Sequence, residues 1–171
     1  MSNDQRKVIA GAVAASVFSV AFFLLVFRLT AIGQTPPGGI ETSWRLEYAL
    51  RWEVFAALCL LGGVGKVANR RFFSADAIGG GTSPSIEIDQ RYLQNTLEQL
   101  VLAITAHLAL VTIVAPESIR AIAVLVMLFV IGRATFWIGY HRSGSARAFG
   151  FATTFYPTVA VYAFLVYRFV A

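Results

Sequence analysis

Charge is scarce in this chain. Asp, Glu, Lys and Arg make up 13% of its 171 residues, where a soluble domain has about 25%. Cysteine is scarcer still: Cys59 is the single one. That excludes an intrachain disulfide and any cysteine-cluster metal site, and its place inside an apolar run marks packing rather than nucleophilic chemistry. Of the two histidines, His107 has no second His, Cys or carboxylate near it in helical spacing, so its expected role is a hydrogen bond across helices and no metal is expected. Internal repeats and extended low-complexity tracts are missing as well.

What the chain has instead is apolar length. The hydrophobic fraction is 57% and mean hydropathy is +0.69. Uncharged runs cover Val8–Phe27 (20 residues), Gln99–Pro116 (18) and Ala148–Tyr167 (20). Each matches the ~20 helical residues that cross a hydrocarbon core about 30 Å thick. Val54–Gly65 is shorter with helix-compatible flanks, and Ala121–Tyr140 is broken only by Arg133. The expectation is an all-α integral membrane protein with five helices near 7–29, 44–69, 88–114, 117–141 and 146–170. The first run follows Arg6 and Lys7, but it exceeds the 7–15 apolar residues of a signal peptide and reads as a retained helix.

Basic residues near segment ends set the expected orientation. With the N-terminus in the cytoplasm, eight lie inside (Arg6, Lys7, Lys66, Arg70, Arg71, Arg91, Arg142, Arg147) and five outside (Arg28, Arg45, Arg51, Arg120, Arg168). The Pro-Pro-Gly-Gly connection after the first helix then faces outward as a turn-rich linker. The inner loop before the third helix, with Gly-Gly-Gly and Ser-Pro-Ser, reads as mobile. Pro116 is expected at or near a helix start.

This arrangement gathers the unusual polar residues at one side. Arg91, Asn95 and Glu98 stand four and three residues apart and share one helix face. Arg133 lies seven residues before Tyr140, and Glu98 seven after Arg91, so both point about 10 Å into the membrane from the same side. Isolated ions at that depth cost a few kcal/mol, and a Glu98–Arg133 pair is one expected remedy. Arg70, Arg71 and Arg142 also suit snorkelling to anionic headgroups. Locking helices by hydrogen bonds is the structural alternative for the row itself.

Arginines, a carboxylate, an amide and a tyrosine suit a small zwitterion of net negative charge. Arginine forks grip carboxylates, glutamate accepts from an ammonium, and asparagine serves a peptide group. Glutathione fits this inventory, as other anionic peptides and lipid headgroups do. Its thiol, with a free pKa near 8.5, needs a cation beside it to ionise readily.

The stretch Arg91-Tyr-Leu-Gln-Asn95-Thr-Leu-Glu98 resembles a signature of the MAPEG superfamily, membrane-associated proteins in eicosanoid and glutathione metabolism. Arg133 to Arg147, with Tyr140 midway, resembles its second signature, and Ala68–Phe73 resembles the basic end of its first helix. The resemblance covers about residues 46–171 and divides the chain into an extra N-terminal helix with its linker (1–45) and a four-helix domain (46–171). It implies a homotrimer holding glutathione as co-substrate between subunits near the cytosolic face. Arg91, Asn95 and Glu98 would bind it, with Arg70 or Arg71 and Tyr140 assisting. Arg147 matches the thiolate-stabilising arginine, and Arg133 a site-supporting one.

Departures are Ile88 where the family carries an arginine, Leu93 for a glutamine, Gln99 after the glutamate, and Phe136 for a tyrosine in some eicosanoid enzymes. The expected function is a glutathione-dependent transferase or peroxidase acting on lipophilic electrophiles. A non-catalytic binding or scaffold protein on the same fold is the alternative, and a small transporter ranks last, since transporter sites favour the midplane. Expected partners are the lipid bilayer, a small lipophilic substrate and further copies of the chain, and no nucleic acid.

Overall fold

The computed structural model describes residues 1–30, 41–74, 81, 83–142 and 145–171. The Pro-Pro-Gly-Gly linker, and the loop glycines Gly79 and Gly80, lie outside the described residues. Five helices follow in order: α1 Asn3–Leu29, α2 Thr42–Phe72, α3 Pro84–Ile113, α4 Ala121–Arg142 and α5 Ala148–Val170, with a 3-10 turn at Pro116–Ser118. All five are long and apolar enough to cross a membrane, and no strand occurs among the described residues. A helix satisfies its own backbone groups, which a segment in lipid must do.

The ends are set by caps that hydropathy does not see. Ser2 and Gln5 form a capping box, so α1 begins four residues before the expected start. Ser83 caps α3 and Pro84 occupies its first turn, where the missing N–H costs nothing. The Ser-Pro-Ser stretch read as mobile therefore initiates a helix. Pro116 starts the 3-10 turn rather than α4 itself. Arg45, counted above as an orientation marker, is buried. Its guanidinium donates to the carbonyls of Val111 (3.1 Å), Thr112 (3.3 Å) and Val114, closing the C-terminal carbonyls of α3 that have no partner within the helix.

Lipid is as apolar as leucine, so helix association in a membrane rests on close packing and hydrogen bonds. The helix α4 is central and buried over most of its length. It crosses α5 through glycines: a Cβ on Gly150 would stand 2.2 Å from the Phe136 backbone N, and one on Gly139 would stand 2.6 Å from the Ala146 carbonyl O. The main partner of α2 is α3, while α3 also meets α5, where the Tyr162 hydroxyl donates to the Leu102 carbonyl (3.0 Å). The added helix α1 lies mainly against α5. It presents Gly11, Ala15 and Ser19, spaced by four, with Ala15 and Ser19 buried and Gly11 facing Ala148.

Deep in the bundle His107 Nδ1 lies 2.6 Å from Glu53 Oε1, both side chains almost fully buried. The expected cross-helix bond of His107 is thus present. Its partner is a carboxylate on α2 that spacing along α3 could not reveal.

Candidate functional site

The α2–α3 and α4–α5 ends of the bundle carry the expected site residues. Arg133 is fully buried. One terminal nitrogen donates to Asn95 Oδ1 at 2.9 Å; the other donates to Thr154 Oγ1 and, at 3.5 Å, to the Gly150 carbonyl. Three helices are joined at one guanidinium. The close Gly150–Phe136 contact makes this possible, because it brings the α5 backbone within reach of an α4 side chain. A charged group in a membrane interior demands such partners.

The expected Glu98–Arg133 pair is not formed. Glu98 is exposed and accepts from Gln94 on its own helix (3.0 Å), while Asn95 takes the place expected for it. The reason is angular. Asn95 is half-buried toward α4, and Glu98, three residues on, has turned toward the outer surface. Arg91 is also exposed and stands 3.7 Å from Glu87, one turn back. The row therefore divides: its amide faces inward and its two charges face outward.

From Arg133 an alternating ladder runs to the helix end. Its guanidinium carbon lies 4.6 Å from the Phe136 ring centroid. Phe136 meets Tyr140 edge-on at 5.3 Å, and the Arg147 guanidinium covers Tyr140 at 4.7 Å. Each is a cation–π or aromatic contact within the usual range. Arg147 is exposed, and among the described residues it forms no ion pair with a carboxylate. Arg133, Tyr140 and Arg147, expected together from the resemblance to the second family signature, are thus brought together through Phe136.

Arg70 behaves differently. Its Nε is 2.7 Å from Oδ2 of the buried Asp89, whose other oxygen lies 3.4 Å from His141 Nε2. Arg70 therefore ties α2 to α3, and Asp89 carries the link on to α4. Arg71, the next residue, is exposed at the end of α2. Asp89 was missed by sequence reasoning, although a signal was available. It lies three residues from both Ile86 and Tyr92, all three on the buried face of α3. An acid in an apolar row at helical spacing needs a buried cation. Beside it a cavity of about 240 Å³ is lined by Lys66, Asp89, Tyr92 and Trp137 among others, and Lys66 Nζ lies 5.6 Å from the Trp137 ring.

Chemically, one end of the bundle offers two outward charges of opposite sign on α3 and a guanidinium stacked on a phenol at the α4–α5 turn. Such a set grips a zwitterion and stabilises an anion.

The sequence model of the MAPEG family matches residues 49–167, and the chain belongs to that family. It is similar to Transmembrane protein 79 of Mus musculus, 29% identical over 161 residues, which are 93% of this chain and 40% of that protein. It is also similar to Transmembrane protein 79 of Bos taurus, 27% identical over 120 residues, 70% of this chain and 30% of that protein. The chain thus spans less than half the length of these curated relatives. No solved structure matches it.

Proposed function

From membership of the MAPEG family and the state of one arginine, we propose a glutathione-dependent membrane transferase or peroxidase acting on lipophilic electrophiles. The observation that carries the reading is Arg147: exposed, stacked at 4.7 Å over Tyr140, and without a carboxylate partner among the described residues. A guanidinium half-covered by a ring is less hydrated than a free one and stabilises a thiolate more strongly. In the reaction the thiol gives its proton to water and the sulfur forms a bond to the electrophile. The electron pair displaced there leaves with the leaving group or takes a proton from water. Where that electrophile is a hydroperoxide, a second glutathione then condenses with the sulfenic acid to give the disulfide and water.

Arg91 and Glu98 supply the grip. Their present partners are one turn away on the same exposed face. Such pairs contribute about 0.3–0.5 kcal/mol, so a ligand carboxylate or ammonium displaces them at little cost. Arg133 positions Asn95 from behind, and Tyr140 positions Arg147. Arg70 is engaged by Asp89, which leaves Arg71 as the cation at the end of α2 able to assist. The site faces the cytoplasm and is completed by a neighbouring subunit of a homotrimer.

A second reading, a non-catalytic binding or scaffold protein on the same fold, is favoured by one observation. The Asn95 carbonyl is already taken by Arg133, so part of the recognition row serves the fold. The test combines calorimetric glutathione binding with turnover of a generic aromatic electrophile. Arg147→Ala is expected to raise the pKa of the bound thiol toward its free value near 8.5 and to lower turnover more than affinity. Arg91→Ala is expected to weaken binding first, since uniform binding shows mainly in KM. Equal thiol pKa and rate in wild type and Arg147→Ala would sink the catalytic reading. No glutathione binding at all would sink the transferase reading and leave the scaffold reading in its place.

A further inference from the structure

The added helix α1 encloses a space that the other four helices do not close by themselves. A cavity of about 510 Å³ lies between α1, α3, α4 and α5, walled by Phe23, Leu110, Leu125, Leu128 and Val161. It occupies the half of the bundle away from Arg91 and Arg147. Pro157, within α5, also lines it. Proline lacks the N–H that would reach the carbonyl four residues back, and its ring disturbs that turn.

The walls are mostly hydrocarbon; Ser16, Ser19 and Tyr156 bring hydroxyls to the lining, and that of Ser19 is the one buried without a partner among the described residues. Ser19 is 6% exposed and lines the cavity, and its hydroxyl has no hydrogen-bond partner. Ser16, one turn earlier, donates to the Ala12 carbonyl (3.0 Å). A buried hydroxyl left unpaired is unfavourable. Ser19 lies ten residues, about 15 Å of helix rise, from Leu29, which places it near the middle of a ~30 Å core. Val20, Leu24 and Phe164 on the cavity wall are exposed, so the mouth opens sideways to lipid.

We propose that this cavity binds one lipid chain carrying an oxygen function part-way along its length, a hydroxy or oxo fatty acyl chain, with Ser19 as its hydrogen-bond partner. The volume falls within the ~300–1,000 Å³ of small-molecule sites. A saturated chain leaves Ser19 unpaired. A charged headgroup is disfavoured at mid-depth, and a lipid whose polar group sits at the interface does not reach Ser19. The proposal is independent of the glutathione reading, because the two sites lie at different depths and share no residue.

The experiment compares 12-hydroxystearate with stearate on the detergent-purified full chain, by displacement of a fluorescent fatty acid. Wild type is expected to bind the hydroxylated chain about two- to tenfold more tightly, the range of one net hydrogen bond. Ser19→Ala is expected to keep stearate affinity and lose the preference. Filling the cavity with Ala160→Trp, or with Leu128→Phe should the first variant fail to fold, is expected to weaken both chains more than tenfold. Equal affinity for the two chains in wild type overturns the proposal, as does a preference that survives Ser19→Ala. So does a disulfide between copies carrying Val20→Cys in a Cys59→Ser background with chain binding blocked, which would show that a neighbouring copy occupies the cavity.

Discussion

A membrane interior makes each polar side chain account for itself, and three buried ones show how. Arg45 closes the end of α3, Arg133 joins three helices, and Glu53 meets His107. Only Arg133 belongs to the candidate site. The Glu53–His107 pair is buried and bridges two helices, so its role is to hold α2 against α3. Removing one partner of a buried pair leaves an uncompensated polar group and costs about 3–5 kcal/mol, whereas replacing both is often near neutral. His107→Leu is therefore expected to destabilise by that amount. Glu53→Leu with His107→Leu should be much closer to wild type, measured by thermal unfolding in detergent. Additive losses would count against the pair. The same scale explains what the sequence could and could not tell. Arg133, Tyr140 and Arg147 were legible because together they resemble the second family signature, which spans the end of α4 and the start of α5. The burial of Asp89 was signalled by its apolar row, but its partner, like that of Glu53, lies on another helix, and spacing within one helix says nothing about which neighbour arrives.

At the level of elements, helix existence followed from run length, while the ends depended on Ser2, Ser83 and Pro84, whose capping is local hydrogen bonding that hydropathy does not register. The α4–α5 crossing depends on backbone closeness, and glycine positions test it. Gly150→Ala would place a methyl 2.2 Å from the Phe136 nitrogen, with no side chain there to move aside. Overpacking of this kind costs about 1–3 kcal/mol, and the displaced α5 carbonyl would also release Arg133. Gly62, on α2, has nothing within 4 Å of the same added atom, and there alanine is expected to stabilise by about 0.5–1 kcal/mol through helix propensity. Opposite shifts in melting temperature are the expected result. The Gly150 variant should also lose glutathione affinity, since Asn95 would no longer be held by Arg133. A Gly150→Ala protein as stable as wild type would mean that the helices separate freely and that the crossing does not position the site.

Taken whole, the molecule has a surface that a single copy leaves unfinished. Glu98 is exposed on α3 beside Leu97, Val101 and Leu102, which are exposed too, and it lies about 10 Å past Arg91 along the helix. A carboxylate facing hydrocarbon is unfavourable by about 2.5–3.5 kcal/mol on insertion scales, and a hydrogen bond from the neighbouring Gln94 does not remove the charge. Lipid is therefore the wrong neighbour for this face. The proposed trimer would resolve the conflict: another subunit would cover α3, and Glu98 and Arg91 would line a crevice on the side expected to face the cytoplasm. Orientation can be read from cysteines placed at Ser83 and Ser143 in a Cys59→Ser background, which should resist an impermeant thiol reagent on intact cells; labelling of both from outside would reverse the topology. For assembly, native mass spectrometry of the wild type is expected to give a trimer. Glu98→Leu removes the charge that lipid rejects, so it should abolish glutathione binding while leaving the trimer intact or strengthening it. A monomer for wild type, with Glu98→Leu gaining stability as a monomer, would show that α3 faces lipid after all, and the shared site would have no second wall.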